Sequence, residues 1–213
     1  MIIQLAQCFV VTLEIFFLTL LGSLPLGLVI YFGRQSKLKP VSAFFKIYIS
    51  IMRGTPLMLQ MMVVYFGPSL LLGFNVPGNW RFMAVVLAFI INYAAYFAEI
   101  YRGGISSIPK GQYEAAEVLG YSKIQTFFKI IFPQMVKRVV PPVTNEVITL
   151  VKDTSLAYTI GTVEMFTKAR QIAVSPGSPG MLTFAAAAVF YYVFNYLMAG
   201  VMALIEKKLN YYQ

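Results

Sequence analysis

Residues 1–33 read MIIQLAQCFVVTLEIFFLTLLGSLPLGLVIYFG, with one acid, Glu14, and no lysine or arginine. Charges are also absent from residues 54–80, 82–98 and 171–205. A helix needs about 20 mostly apolar residues to cross about 30 Å of hydrocarbon, so these gaps are long enough to hold membrane spans. The first gap, extended back through Glu14 to about Cys8, gives one span. The second gives a span from about Gly54 to Gly73, because Gly73-Phe74-Asn75-Val76-Pro77-Gly78-Asn79 reads as a loop. The third runs from Arg81 to about Arg102, with Glu99 near one end. The fourth breaks at Ser175-Pro176-Gly177-Ser178-Pro179-Gly180 and leaves a span from Met181 to Ile205. A fifth candidate lies between Val139 and Val163; it opens on Pro141-Pro142 and contains Glu146, Lys152 and Asp153. These readings predict an all-α polytopic membrane protein with five transmembrane helices and one domain over residues 1–213.

Composition points the same way. Hydrophobic residues make up 59% of the 213 and charged residues 12%, against roughly 45–50% and about 25% in soluble domains. That excludes disorder, which needs low hydrophobicity and high charge, and argues against a soluble enzyme. The 17 Lys+Arg exceed the 8 Asp+Glu by nine. A nucleic-acid binder would not set such an excess among long apolar runs, so the expected partner is the lipid bilayer and not nucleic acid. With no histidine and one cysteine, Cys8, an intrachain disulfide, a Cys/His zinc site and a Ser-His-Asp or Cys-His mechanism are all excluded. No catalytic or metal-ligating set is expected.

The basic residues are unevenly spread. Arg34, Lys37, Lys39, Lys46 and Arg53 fall between the first two spans. Arg102, Lys110, Lys123, Lys129, Lys137 and Arg138 fall between the third and fifth, and Lys207 and Lys208 lie in the tail. The positive-inside rule puts these on the cytoplasmic side, leaving Arg81, Lys168 and Arg170 outside. Five spans then place the N-terminus outside and the C-terminus in the cytoplasm. The basic n-region of a signal peptide is missing from the first 33 residues, so no cleavage is expected.

The longest inside segment has internal order. Pro109 suits a first helical turn, Glu114-Ala115-Ala116-Glu117 favours helix, and Gly120 reads as a C-cap glycine. Ser122-Lys123-Ile124-Gln125 has the capping-box pattern that starts a second helix, which Pro133 is expected to limit. Two short helices meeting at a glycine predict a compact knob within 103–133.

Glu114-Ala115-Ala116-x3-Gly120-x9-Ile130-x2-Pro133 resembles the EAA motif of the membrane subunits of binding-protein-dependent ABC importers. Phe132 stands where the family has leucine. Arg53-Gly54-Thr55-Pro56-Leu57, Ala95-Tyr96-Phe97-Ala98-Glu99-Ile100-Tyr101-Arg102-Gly103-Gly104-Ile105, Ser107-Ile108-Pro109-Lys110-Gly111-Gln112 and Lys152-Asp153-Thr154-Ser155-Leu156 resemble the polar amino-acid branch of that family. The resemblance covers nearly the whole chain. It implies a type I importer transmembrane domain in the bacterial plasma membrane, working by alternating access on a polar amino acid. It implies two cytoplasmic ATPase subunits, a second permease chain (identical or related) and an extracellular amino-acid-binding protein. Residues 103–133 would be the coupling loop, with Glu114, Ala115, Ala116 and Gly120 at the ATPase. The chain has no G-x-x-x-x-G-K-[ST] loop, so ATP and magnesium would sit on the partner subunit and no cofactor on this chain.

Charges within the spans are functional candidates, at about 2.5–3.5 kcal/mol each on insertion scales. Glu99 and Arg102, three apart, predict a structural pair. Lys152 and Asp153 are adjacent and cannot face each other on a helix. Either they anchor a break in the fifth span, or Asp153, Thr154 and Ser155 line a path for a zwitterion. Asn92 and Tyr96 share a face with a pore-lining or an interhelix role, and Glu14 could attract a cationic group or pair within the protein. The rival function is a secondary transporter driven by an ion gradient, which the lack of an internal repeat disfavours.

Overall fold

The computed structural model describes residues 1–178 and 180–209; Pro179 of the expected breaker and residues 210–213 of the expected domain lie outside the described residues. The first helix, α1 (Ile2–Arg34), has 33 residues and is therefore about 50 Å long. It is followed by α2 (Lys39–Gly54), α3 (Leu57–Leu70) and α4 (Trp80–Ser106). Next come two short helices, α5 (Lys110–Val118) and α6 (Lys123–Thr126), and a π-helical turn at Phe127–Ile131. After these come α7 (Phe132–Asp153), a 3₁₀ segment (Thr154–Ile160), α8 (Met165–Ala173) and α9 (Met181–Leu209). Among the described residues there is no strand.

Helix α4 is the axis of the molecule. Val85, Ala88, Phe89, Tyr93, Ala94, Ala95, Phe97 and Ala98 are all buried along it. Its small residues let α1 come close. A Cβ on Gly27 of α1 would stand 2.8 Å from the Phe97 Cβ and 3.2 Å from the Ala94 carbonyl oxygen, so only glycine fits that crossing, as membrane helix packing favours. Helix α9 is peripheral: its most apolar eighteen-residue stretch has no buried residue.

Three helices, α1, α4 and α9, are long and apolar enough to cross a membrane, and a fourth span is reached if α2 and α3 count together. Those two meet at a bend of 111°. The bend has a local cause: Thr55 and Pro56 are both extended, as the proline requires of the residue before it. The expected span from Gly54 to Gly73 is thus a 14-residue helix, about 21 Å long, too short to cross alone. The basic stretch before it is helical. Phe44, Ile47 and Ile51 lie exposed along one stripe of α2. The fifth candidate is helical from well before Pro141 but is not apolar enough to count with α1, α4 and α9, because α7 carries Lys137, Arg138, Glu146, Lys152 and Asp153. Nor does Pro133 stop a helix. The π-helical turn absorbs it, and α7 runs on through Pro141 and Pro142.

Candidate coupling and translocation sites

The knob is built from caps. Helix α5 ends in a Schellman motif: the Gly120 N–H donates to the Glu117 carbonyl and the Tyr121 N–H to the Ala116 carbonyl, both at 3.0 Å. The motif needs a left-handed residue, and Gly120 has φ +74°. Two residues on, the Gln125 N–H donates to Ser122 Oγ at 3.3 Å and the Ser122 N–H to Gln125 Oε1 at 2.9 Å, the reciprocal capping box. Both helices are therefore held by backbone-level bonds rather than by a deep core.

The knob is also tied to the long helices. Gln134 of α7 donates to Gln112 of α5 at 3.1 Å, and Arg138 of α7 donates to the Ser107 carbonyl after α4. The Lys129 ammonium lies 5.8 Å from the Tyr121 ring centroid. Of the four residues the sequence singled out, Ala116 is fully buried, whereas Glu114, Ala115 and Gly120 are exposed. Phe128, with Phe127, Ile130 and Ile131, is the apolar face expected of the second short helix; the apolar residues Val118, Leu119 and Ile124 were not singled out. Val118 is 88% exposed, Leu119 72%, Ile124 72% and Phe128 63%. Four large apolar side chains open to solvent on so small a unit mark an interaction surface.

A second arrangement joins α4 to α7. The Tyr93 hydroxyl of α4 donates to Asp153 Oδ2 at 2.7 Å. The Tyr96 ring centroid lies 6.2 Å from that of Tyr93 and 5.3 Å from the Arg53 guanidinium of α2. Asp153 is the last residue of α7, and the chain tightens there into the 3₁₀ segment. Thr154 donates to the Val151 carbonyl at 2.7 Å, and Ser155 to that of Lys152 at 2.8 Å. Such i→i−3 side-chain bonds compete with the α-helical ladder. The helix changes character directly after Lys152-Asp153, with Lys152 exposed and Asp153 half-buried.

The other candidates disperse. Asn92 is buried, and its amide N–H₂ donates to the Met52 carbonyl at 3.0 Å and to Gln60 Oε1 at 2.9 Å. It thus bonds between helices at the α2–α3 elbow. Thr154 is fully buried. Glu14 lies on the exposed side of α1, among Val10, Phe17, Leu18 and Leu21. It is 12 residues into α1, about 18 Å from its start and deeper than a span beginning at Cys8 would put it. No hydrogen bond or ion pair among the described residues joins it to Asp153.

Two ionic clusters exceed the sequence reading. The expected pair of Glu99 and Arg102 is made at 2.8 Å, but Arg34 of α1 also binds the Glu99 carboxylate, and Arg53 of α2 stands 4.0 Å away. Glu99 therefore gathers the ends of α1, α2 and α4. Glu164 was not foreseen at all. It is fully buried and caps α8, accepting from the Phe166 and Thr167 N–H groups at 2.7 Å each. The Thr167 hydroxyl at 2.9 Å, Tyr191 of α9 at 3.1 Å and Thr12 of α1 at 3.4 Å complete its shell. Among the described residues, no group of acids and cysteine could hold a metal ion.

Residues 23–211 match the model of the family described as binding-protein-dependent transport system inner membrane component. The chain is 35% identical over 201 residues to the L-cystine transport system permease protein TcyB of Bacillus subtilis, covering 94% of this chain and 84% of that one. It is 35% identical over 200 residues to the arginine transport system permease protein ArtQ of the same organism, covering 94% and 90%. Among solved structures, an amino acid ABC transporter crystallised with histidines superposes with a TM-score of 0.86 at 30% identity, covering 96% of this chain and 94% of that chain. The inward-facing MetNI methionine ABC transporter superposes with a TM-score of 0.70 at 17% identity, covering 97% and 94%, a likeness of fold.

Proposed function

The chain belongs to the binding-protein-dependent transport system inner membrane component family, and we propose that, as the permease subunit of an ABC importer, it carries a polar amino acid across the bacterial plasma membrane. The observation that carries this reading is the match, in both sequence and fold and over nearly the whole chain, to permeases of amino-acid importers. It is a transport subunit rather than an enzyme, and systems of this kind work with ATPase subunits and binding proteins.

In the finer reading, two ATPase subunits sit below a pair of permease chains, identical or related, and a binding protein delivers the amino acid from outside. With the bent pair α2–α3 counted as one span and α7 as another despite its charges, five spans put the N-terminus outside and the knob inside. Residues 103–133 are the coupling loop, in which Glu114, Ala115 and Gly120, with Val118, Leu119, Ile124 and Phe128, meet the ATPase. The exposed apolar surface and the capped ends support this: a unit that transmits force must be stiff and must offer a partner something to bind. ATP binding draws the ATPases together and the knobs follow. Gln112–Gln134 and Ser107–Arg138 pass the motion to α7 and α4. Those two helices carry Tyr93, Tyr96 and Asp153, the groups with which we line the path, Asp153 taking the ammonium group of the substrate. Ser155 lies next on the 3₁₀ segment. Asn92 and Thr154 hold the wall through their internal bonds, and Glu14 faces lipid or the second chain.

The test is reconstitution. The chain, its ATPase and its binding protein are placed in proteoliposomes and offered labelled amino acids. Uptake of one polar amino acid, requiring the binding protein, is the expected result. An assembled complex that hydrolyses ATP yet moves none of the twenty would overturn the substrate class.

A further inference from the structure

At the end of α4 opposite the knob, a cavity of about 410 Å³ opens between Val11 of α1, Tyr65 of α3, the start of α4 and the turn that closes the 3₁₀ segment. Its volume is in the range of small-molecule sites. Trp80 forms one wall, fixed by its indole N–H, which donates to the Tyr65 carbonyl at 3.0 Å. Arg81 lines the cavity beside it. Its guanidinium donates to the Gly161 carbonyl at 3.3 Å and to the Tyr65 hydroxyl at 3.5 Å, both long bonds. Those bonds use two of five N–H donors. No acid lines the cavity, and among the described residues no carboxylate pairs with Arg81. Thr162, whose buried hydroxyl has no partner among the described residues, is in the same wall. A guanidinium with spare donors, in a part-apolar cavity without an acid, is a site for a planar anion.

We propose that this cavity is a second substrate station that takes the α-carboxylate of the amino acid, with Arg81 as its anchor. The proposal rests on the permease reading above. The cavity wall at Gly161 and Thr162 directly follows the 3₁₀ segment that begins after Asp153. At 2.0 Å per residue, Gly161 is about 16 Å from Asp153 along that segment. One amino acid cannot span that distance, so the two are successive stations: an anion subsite at the mouth and a cation subsite deeper in. The cavity's volume and its aromatic wall of Tyr65 and Trp80 favour a small molecule over an acidic side chain of the binding protein.

Trp80 is the only tryptophan of the chain, which gives the test its probe. The complete permease–ATPase complex in nanodiscs is labelled with 5-fluorotryptophan, and its ¹⁹F resonance is assigned with Trp80→Phe. L-Arginine, L-glutamine and L-histidine are titrated, each against its own carboxamide. The expected result is a saturable shift of the Trp80 resonance with a transported amino acid, at least tenfold weaker with its amide. Arg81→Gln should weaken the response at least tenfold and Arg81→Lys should restore part of it. If Arg81→Gln does not assemble, the comparison of acid with amide in the unaltered complex decides. An equal response to acid and amide overturns the proposal. So does a response given only by substrate-free binding protein and lost in Arg81→Gln, which would make Arg81 a docking residue. Uptake measured on the same preparation separates the two readings: transport without a Trp80 response overturns the subsite alone, and loss of both overturns both.

Discussion

Tyr93 and Asp153 join α4 to α7 through one hydrogen bond of 2.7 Å, at the residue where α7 gives way to the 3₁₀ segment. The bond has two separable roles, holding helices together and presenting a charge. Tyr93→Phe removes only the donor. Interhelix bonds in membranes contribute about 0.6–2 kcal/mol, so thermal denaturation of the purified complex should show a loss of that order. Asp153→Asn keeps the shape and the acceptor oxygen but not the charge. Its uptake should fall at least tenfold while the melting temperature stays close to that of the unaltered complex. Wild-type uptake in Asp153→Asn would remove Asp153 from the path.

Gly120 sits at φ +74° inside the Schellman motif. A β-branched residue there meets the left-handed penalty of about 1–2 kcal/mol and shifts the angle between α5 and α6. Gly120→Val should leave ATP hydrolysis in the assembled complex but lower uptake per ATP several-fold. Unchanged uptake per ATP would mean that the turn does not transmit the stroke.

The exposed side chains of Val118 and Ile124 contribute nothing to the permease's own core. Val118→Asp or Ile124→Asp should therefore leave expression and melting temperature unchanged. Either should weaken ATPase binding at least tenfold, because burying an unpaired charge in an apolar contact is costly. Co-purification of the two subunits reads this directly, and full retention of the ATPase would place the contact elsewhere.

Glu164 closes five hydrogen bonds between α1, α8 and α9. Losing a helix cap costs about 0.5–2 kcal/mol, and leaving buried donors unsatisfied adds to it. Glu164→Ala should lower the melting temperature by several degrees. Glu164→Gln, which keeps one acceptor oxygen, should lower it less. Equal melting temperatures for the two variants would show that the carboxylate shell does not hold α8.

What the sequence revealed follows from what each helix faces. Helices α1, α4 and α9 stood out as uncharged runs because a helix that crosses hydrocarbon must be apolar, whether it meets lipid or, like α4, is packed among other apolar helices. The order inside the knob could be read residue by residue, since Gly120 and Ser122–Gln125 are local signals that need no tertiary partner. Helix α2 was hidden because its lysines and arginines count toward a basic loop, and a one-dimensional charge tally does not register the stripe of Phe44, Ile47 and Ile51. Spacing along one helix gave Glu99 and Arg102. No local rule could bring Arg34 and Arg53 to the same carboxylate from two other helices. Tyr93 as the partner of Asp153 has the same explanation. Glu164 was missed because glutamate is not among the favoured N-cap residues, so nothing in its neighbourhood announced a cap.

The central claim is that ATP hydrolysis on a partner, passed through the knob, drives movement along the α4–α7 path. The most direct measurement is accumulation of the labelled amino acid in proteoliposomes holding the full complex and loaded binding protein, with one energy source at a time. The account predicts accumulation with ATP on the ATPase side, unaffected by ionophores and abolished by a non-hydrolysable analogue. Accumulation driven by an ion gradient without ATP would contradict it.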